Sequence, residues 1–89
     1  MRITSKGRPF HTATTTSNNE EILKHYLDAD SVSGAIFLTF VPEVGDCMVS
    51  INNEPFQVVD FIEIDERKPK ISSLRVQDSG TTYQLEFYY

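Results

Sequence analysis

Eighty-nine residues are enough for one domain, and surface scaling gives such a chain about 5,300 Å² of accessible surface when folded against about 14,800 Å² unfolded, room for one modest core. A single cysteine, Cys47, excludes an internal disulfide framework, and the absence of tryptophan leaves six phenylalanines, four tyrosines and the β-branched residues to fill that core. The formal charge of −5 hides an asymmetry: three of the eight basic residues, Arg2, Lys6 and Arg8, fall in the first eight positions, and no acid precedes Glu20.

Without that basic start, five basic and thirteen acidic residues remain, a body of −8 that matches phosphate backbones poorly, so no nucleic-acid partner is expected. Residues 1–10 lack the continuous apolar stretch of a signal peptide, and the longest apolar-rich run, Ala35 to Val41, is too short to span a bilayer. The expectation is a soluble protein of a reducing compartment, not secreted and with no membrane partner.

In chain order, Gly7 and Pro9 favour extended backbone over helix, and the polar, strand-prone run His11–Thr16 reads as an edge strand. Residues 1–16 are therefore set apart as an extended N-terminal arm and 17–89 as a single β domain. Ser17-Asn18-Asn19-Glu20 has capping-box spacing, and Ile22, Leu23, Tyr26 and Leu27 recur at helical intervals, which predicts one short helix over about 18–27 supported by a Glu20–Lys24 pair. The same stretch also fits an irregular strand of a sandwich. After the turn-rich segment 28–34, Ala35–Val41 is apolar on nearly both faces and belongs at the centre of a domain.

Pro42-Glu43-Val44-Gly45 then turns the chain, and Cys47, Val49 and Ile51 share one face, predicting an antiparallel hairpin with the preceding strand. Asn52-Asn53-Glu54-Pro55 is the next turn, since asparagine tolerates left-handed backbone. Phe56–Ile64 reads as a strand region bent near Val59-Asp60, where two alternation registers meet, and 65–70 as a charged loop. Leu74 and Val76 point inward from a strand over 71–77, and 78–81 turns into a final strand with Tyr83, Leu85, Phe87 and Tyr89 on one face. Short strands joined by local turns predict an all-β fold, a small antiparallel β-sandwich or Ig-like barrel.

The residue types that carry chemistry are present without the partners that reactions need. His11 and His25 lie fourteen positions apart with no second histidine or cysteine at metal-ligand spacing. Cys47 falls on the inward side of a strand with no basic neighbour to lower its pKa, so an inert buried thiol is expected over a nucleophile partnered with His25. Asp28-x-Asp30 opens like a calcium loop but has Val32, Ser33 and Thr39 where an acid, glycine and glutamate belong. Asp60, Glu63, Asp65 and Glu66 form a solvated acidic loop beside Arg67, Lys68 and Lys70, and no glycine sits in a phosphate-cradling motif. No catalytic residue, metal site or cofactor is expected.

From Ala35 to Tyr89 the chain resembles the small β-sandwich accessory proteins of tailed-bacteriophage virions, of the head-decoration and head-fibre type. The likeness lies in the order of pieces: Gly34-Ala35-Ile36-Phe37-Leu38-Thr39-Phe40, a Pro42-Glu43-x-Gly45 turn, Val49-Ser50-Ile51-Asn52-Asn53, Pro55-Phe56, and the closing Ile71-to-Val76 and Ser79-Gly80…Tyr83 segments. It implies a non-enzymatic structural part, in a virion or the host cytoplasm, that attaches to a capsid or tail lattice or to copies of itself. The candidate interface residues are Arg2, Lys6, Arg8, Phe10 and Tyr88, the last an aromatic on the polar face of its strand. A different class, a monomeric module binding carbohydrate or a host protein, is the alternative.

Overall fold

The segment with the cleanest alternation, near the end of the sequence, lies at the centre of the structure. The computed structural model describes residues 7–43, 45–65 and 70–89. Its elements are β1 (Gly7–Thr14), β2 (Glu20–Glu21), α1 (Lys24–Ala29), β3 (Phe37–Pro42), β4 (Cys47–Ile51), β5 (Gln57–Val59), β6 (Ile62–Ile64), β7 (Leu74–Val76) and β8 (Thr82–Tyr88). They form two four-stranded sheets, sheet A in the order β1-β8-β3-β6 and sheet B in the order β2-β7-β4-β5, with every pairing antiparallel. The fold is a small β-sandwich with one short helix.

Alternation explains which side chains fill the space between the sheets. Tyr83, Leu85 and Phe87 of β8 meet Leu38 and Phe40 of β3 and Ile62 of β6, while sheet B contributes Val49, Ile51, Leu74 and Val76. Thr82, Gln84, Glu86 and Tyr88 occupy the opposite face of β8, in register with Val41, Thr39 and Phe37 of β3. Ile22, Leu23 and Leu27 close the core from the helical segment. The accessible surface of 5254 Å² is close to the value expected from chain length.

The helix begins later than the capping-box pattern predicts. Glu20 does reach back, its Oε1 accepting from the backbone N–H and hydroxyl of both Thr16 and Ser17 at 2.8 to 3.3 Å. Those bonds, the Thr16 amide foremost, hold its carboxyl below the ordinary value. They close a turn, however, because Asn19 takes a positive φ of 56° that a helix excludes. Glu20 and Glu21 instead pair with Val76 and Arg75, so the expected helical Glu20–Lys24 pairing gives way to a strand and α1 runs over Lys24–Ala29.

The predicted hairpin between the 35–41 strand and the 47–51 strand does not form. The first, β3, lies between β8 and β6 in sheet A, and the second, β4, lies between β7 and β5 in sheet B. Pro42 ends β3, Glu43 bonds across to the Thr82 carbonyl at 2.9 Å, and Gly45 at φ 89° lets the chain cross to the other sheet. The bend expected near Val59-Asp60 is also a crossing: β5 belongs to sheet B and β6 to sheet A. The 1–16 arm reading divides as well. Gly7–Thr14 is an integral strand paired to β8, and Thr15 is buried, while residues 1–6 lie outside the described residues.

Polar side chains hold the crossings and the turn between β4 and β5. Thr15 Oγ1 donates to the Asp78 carbonyl at 2.8 Å and accepts from the Thr81 amide at 2.9 Å, tying the end of β1 to the turn before β8. One oxygen of Glu21 accepts from the amides of Leu23, Lys24 and Leu74 at 2.9 to 3.1 Å, and the other accepts from the Ser73 hydroxyl at 2.5 Å. Asn52, at φ 51°, accepts through Oδ1 from the amides of Ser72 and Ser73 at 2.8 and 3.2 Å and donates to the Lys70 carbonyl at 3.0 Å. Asn52→Ala, which removes those bonds and puts alanine at a left-handed position, is expected to cost about 2–3 kcal/mol, and Asn52→Gly, which keeps the backbone tolerance, about 1–2 kcal/mol. Urea unfolding of the three proteins measures both.

Candidate functional site

The described candidate interface residues gather at one end of sheet A, where the paired β1 and β8 begin and end respectively. Gly7 pairs with Tyr88 and Arg8 with Phe87, after which a bulge at Pro9-Phe10 shifts the register before His11 meets Leu85. Proline suits that position because a bulged edge residue has no ladder bond to donate. Glycine suits position 7 because a Cβ there would stand 2.3 Å from the Phe87 carbonyl oxygen and 2.5 Å from the Tyr88 ring. Arg2 and Lys6 lie outside the described residues.

Arg8 and Tyr88 face opposite sides of the sheet. Arg8 turns toward the helix, where Nη2 and Nε bond the two oxygens of Asp30 at 2.9 and 3.3 Å and the guanidinium lies 5.2 Å from the Tyr26 ring centre. The hydroxyl of Tyr89 donates to the same carboxylate, and that bond raises its phenol above the ordinary value. Arg8 thus fastens β1 to the end of α1, and its charge is already matched. Tyr88 turns outward and donates to Glu86 Oε2 at 3.0 Å; burial and then this bond raise its phenol in turn. Phe10, on the bulge, is 50 % exposed.

The two histidines converge on Tyr26. His11 meets its ring edge-on at 5.2 Å and His25 stacks at 4.0 Å, tilted by 38°. His11 Nδ1 lies 3.3 Å from the Pro9 carbonyl, while Nε2 is buried without a hydrogen bond. This is a packing cluster joining β1 to α1, in which neither ring contacts a nucleophile. Cys47 lies on β4 in the other sheet, 8 % exposed, and burial first, then Asp78 and Asp46, push its thiol up, away from the thiolate a nucleophile needs.

Among the described residues no group of three or more histidine, cysteine or carboxylate side chains is placed to hold a metal ion. Asp60, Glu63 and Asp65 are exposed around β6, and Glu66, Arg67 and Lys68 lie outside the described residues. Two open clefts lie among the described residues. One, of about 290 Å³, is lined by Glu21, Lys24, Ser73 and Arg75, and the Glu21 carboxylate there is already saturated by the bonds described above. The other, of about 310 Å³, lies on the outer face of sheet A with Phe37 and Tyr88 beside the carboxylates of Glu63, Asp65 and Glu86. No described helix is long and apolar enough to cross a membrane.

Sequence reasoning overlooked three features. Val58 and Phe61 are 63 % and 56 % exposed, which the reading of 56–64 as a strand region bent near Val59-Asp60 did not anticipate. The Arg8–Asp30–Tyr89 link joins positions 22 and 59 apart, and nothing local announces it. The role of Glu21 was equally hidden, since its partners Ser73 and Leu74 are more than fifty positions away. No protein family, curated protein or solved structure matches the chain.

Two expectations follow. Cys47 should resist thiol reagents at neutral pH in the folded protein and react at the rate of a free thiol once urea unfolds it, read by absorbance of the released chromophore. Burial pushes the Tyr83 phenol up to about 12 from an ordinary 10.0. A neutral phenol favoured by the fold contributes stability that is complete below about pH 10 and is lost as the pH rises toward 12. Thermal unfolding between pH 8 and 12 should show that loss, and Tyr83→Phe should reduce it, leaving the part due to Tyr88 and Tyr89.

Proposed function

We propose that this protein is a non-enzymatic structural and assembly component that attaches to other protein subunits, as an accessory part of a tailed-bacteriophage virion attaches to a capsid or tail lattice. The observation that supports this reading is the outer end of sheet A. There Phe10 stands half exposed on the bulge of an outermost strand, three positions from the glycine that pairs with Tyr88. An exposed aromatic beside unpaired strand backbone offers a neighbouring subunit both an anchor and a ladder of hydrogen-bonding groups. The buried thiol and the histidines packed on Tyr26 fit a binding part better than a catalyst.

A second reading, a monomeric carbohydrate-binding module, draws on the outer cleft, where Tyr88 stands beside carboxylates able to accept sugar hydroxyls. The two readings separate by experiment. Phe10→Ser is expected to lower the solution mass of the full chain, or its co-sedimentation with isolated phage capsids and tails, by about tenfold in affinity, the loss of one well-packed anchor. A chain that stays monomeric, binds no particle and shows a tyrosine fluorescence response to glycans abolished by Tyr88→Ala would replace the assembly reading with the second.

A further inference from the structure

We propose that two copies of this chain join β1 to β1, antiparallel about a two-fold axis, so that their A sheets become one continuous sheet. The inference rests on the assembly reading and names its partner as a second copy. It begins from the hydrogen-bond pattern of β1. The Thr15 amide donates to the Thr81 carbonyl at 2.9 Å, and the register continues as Thr14 with Thr82, Ala13 with Tyr83, Thr12 with Gln84 and His11 with Leu85. In an antiparallel ladder bonded residues alternate with outward ones. Ala13 and His11 therefore bond β8, and Thr12 and Thr14 direct their N–H and C=O groups away from it. Sheet A ends at β1, and no other described strand takes those groups.

Charge selects this edge for self-pairing. The chain carries −5, so two copies repel wherever carboxylates meet. Of the other outer strands, β2 is Glu20–Glu21 itself, β6 carries Glu63 between Asp60 and Asp65, and β5 leads directly into Asp60. These are short strands of two or three residues with the acidic side chains that natural edges use to refuse a partner. The eight-residue β1 differs on every count. Its only charged side chain, Arg8, is turned inward onto Asp30, and residues 9–16 carry no formal charge.

A two-fold axis at Ala13 sets Thr12 of one copy opposite Thr14 of the other. Their outward groups then make about four hydrogen bonds across the axis, and the exposed threonine side chains fall beside one another, a favourable cross-strand pair. The bulge at Pro9-Phe10 limits the pairing to the segment after it, so Phe10 lies at the margin of the joint, over the start of the partner's turn. A foreign strand gains the same backbone bonds, but the antiparallel match of threonine to threonine is specific to a second copy.

The test is hydrogen exchange on the full chain over a range of concentrations, with sedimentation of the same samples. Thr12 and Thr14 amides should become at least tenfold better protected as dimer forms, while exposed amides on β5 and β6 stay unchanged. Thr12→Pro removes an outward N–H that β8 does not use, and Thr12→Lys sets charge against the joint. Each should raise the dimer dissociation constant about tenfold or more with the monomer still folded by circular dichroism, and Thr12→Lys serves if the proline variant fails to fold. An oligomer whose Thr12 and Thr14 amides exchange fast, or which both variants leave intact, overturns β1 pairing while the assembly reading stands on Phe10. A chain monomeric at every concentration overturns self-pairing, and particle binding then decides the assembly reading separately.

Discussion

The structure depends on β8 being held on both sides. Its odd-numbered residues bond β1 and its even-numbered ones bond β3, so the seven-residue strand Thr82–Tyr88 supplies the two longest ladders in the molecule. The same strand supplies Tyr83, Leu85 and Phe87 to the core, with Phe87 fully buried and Tyr83 packed 5.5 Å from the Phe40 ring. Without it, β1 has no neighbour and β3 retains only the three residues of β6. Backbone pairing and side-chain burial thus rest on one segment, and pairing β1 with β8 closes a span of about seventy residues, a non-local contact of high entropic cost.

That placement makes the connections unusual for so small a β domain. Among the described strands only β4 and β5 are both consecutive and paired, and every other pair of neighbours in sequence lies in opposite sheets. A chain that crosses between layers this often leaves many backbone groups at the layer edges without ladder partners. Thr15, Glu21 and Asn52 answer that need. Thr15 and Glu21 stand where the chain leaves one sheet for the other, Asn52 holds the distant 70–73 segment that crosses from β6 to β7, and each satisfies at least two groups remote in sequence. Their polarity is structural, and a search for chemistry that counted polar residues would mistake them for a site.

Electrostatics divides the surface along the same lines. Carboxylates stand on or beside β2, β5 and β6, whereas β1 is bordered by one arginine that Asp30 and the Tyr26 ring hold against the helix. Acidic side chains of this kind disfavour edge pairing, and among the described outer strands β1 is the one without them. The aromatic packing of His11, His25, Tyr26 and Phe87 behind it stiffens the strand from the core side.

Much of this is legible in the sequence. Period-two patterning by itself determined the all-β class, the inward residues of β4, β7 and β8, and the central place of β3, and turn chemistry gave the turn at Asn52-Asn53, where both residues take positive φ. It also marked the change of alternation register near Val59-Asp60, read as a bend in one strand region, where the chain in fact leaves sheet B for sheet A. The candidate site was only half legible: Tyr88 was assigned to an outer face correctly, but Arg8, a plausible free cation in sequence, turns inward to a partner 22 positions away. Only the tertiary structure decided which strands are neighbours. Alternation states which face of a strand is buried and is silent on what it is buried against, so β3 and β4 looked like a hairpin and β1 like an arm. Helical spacing at Ile22 to Leu27 was real, yet pairing of Glu20 and Glu21 with β7 outweighed it at the helix start, since a two-residue strand that seats Ile22 in the core gains more than another helical turn exposed to water.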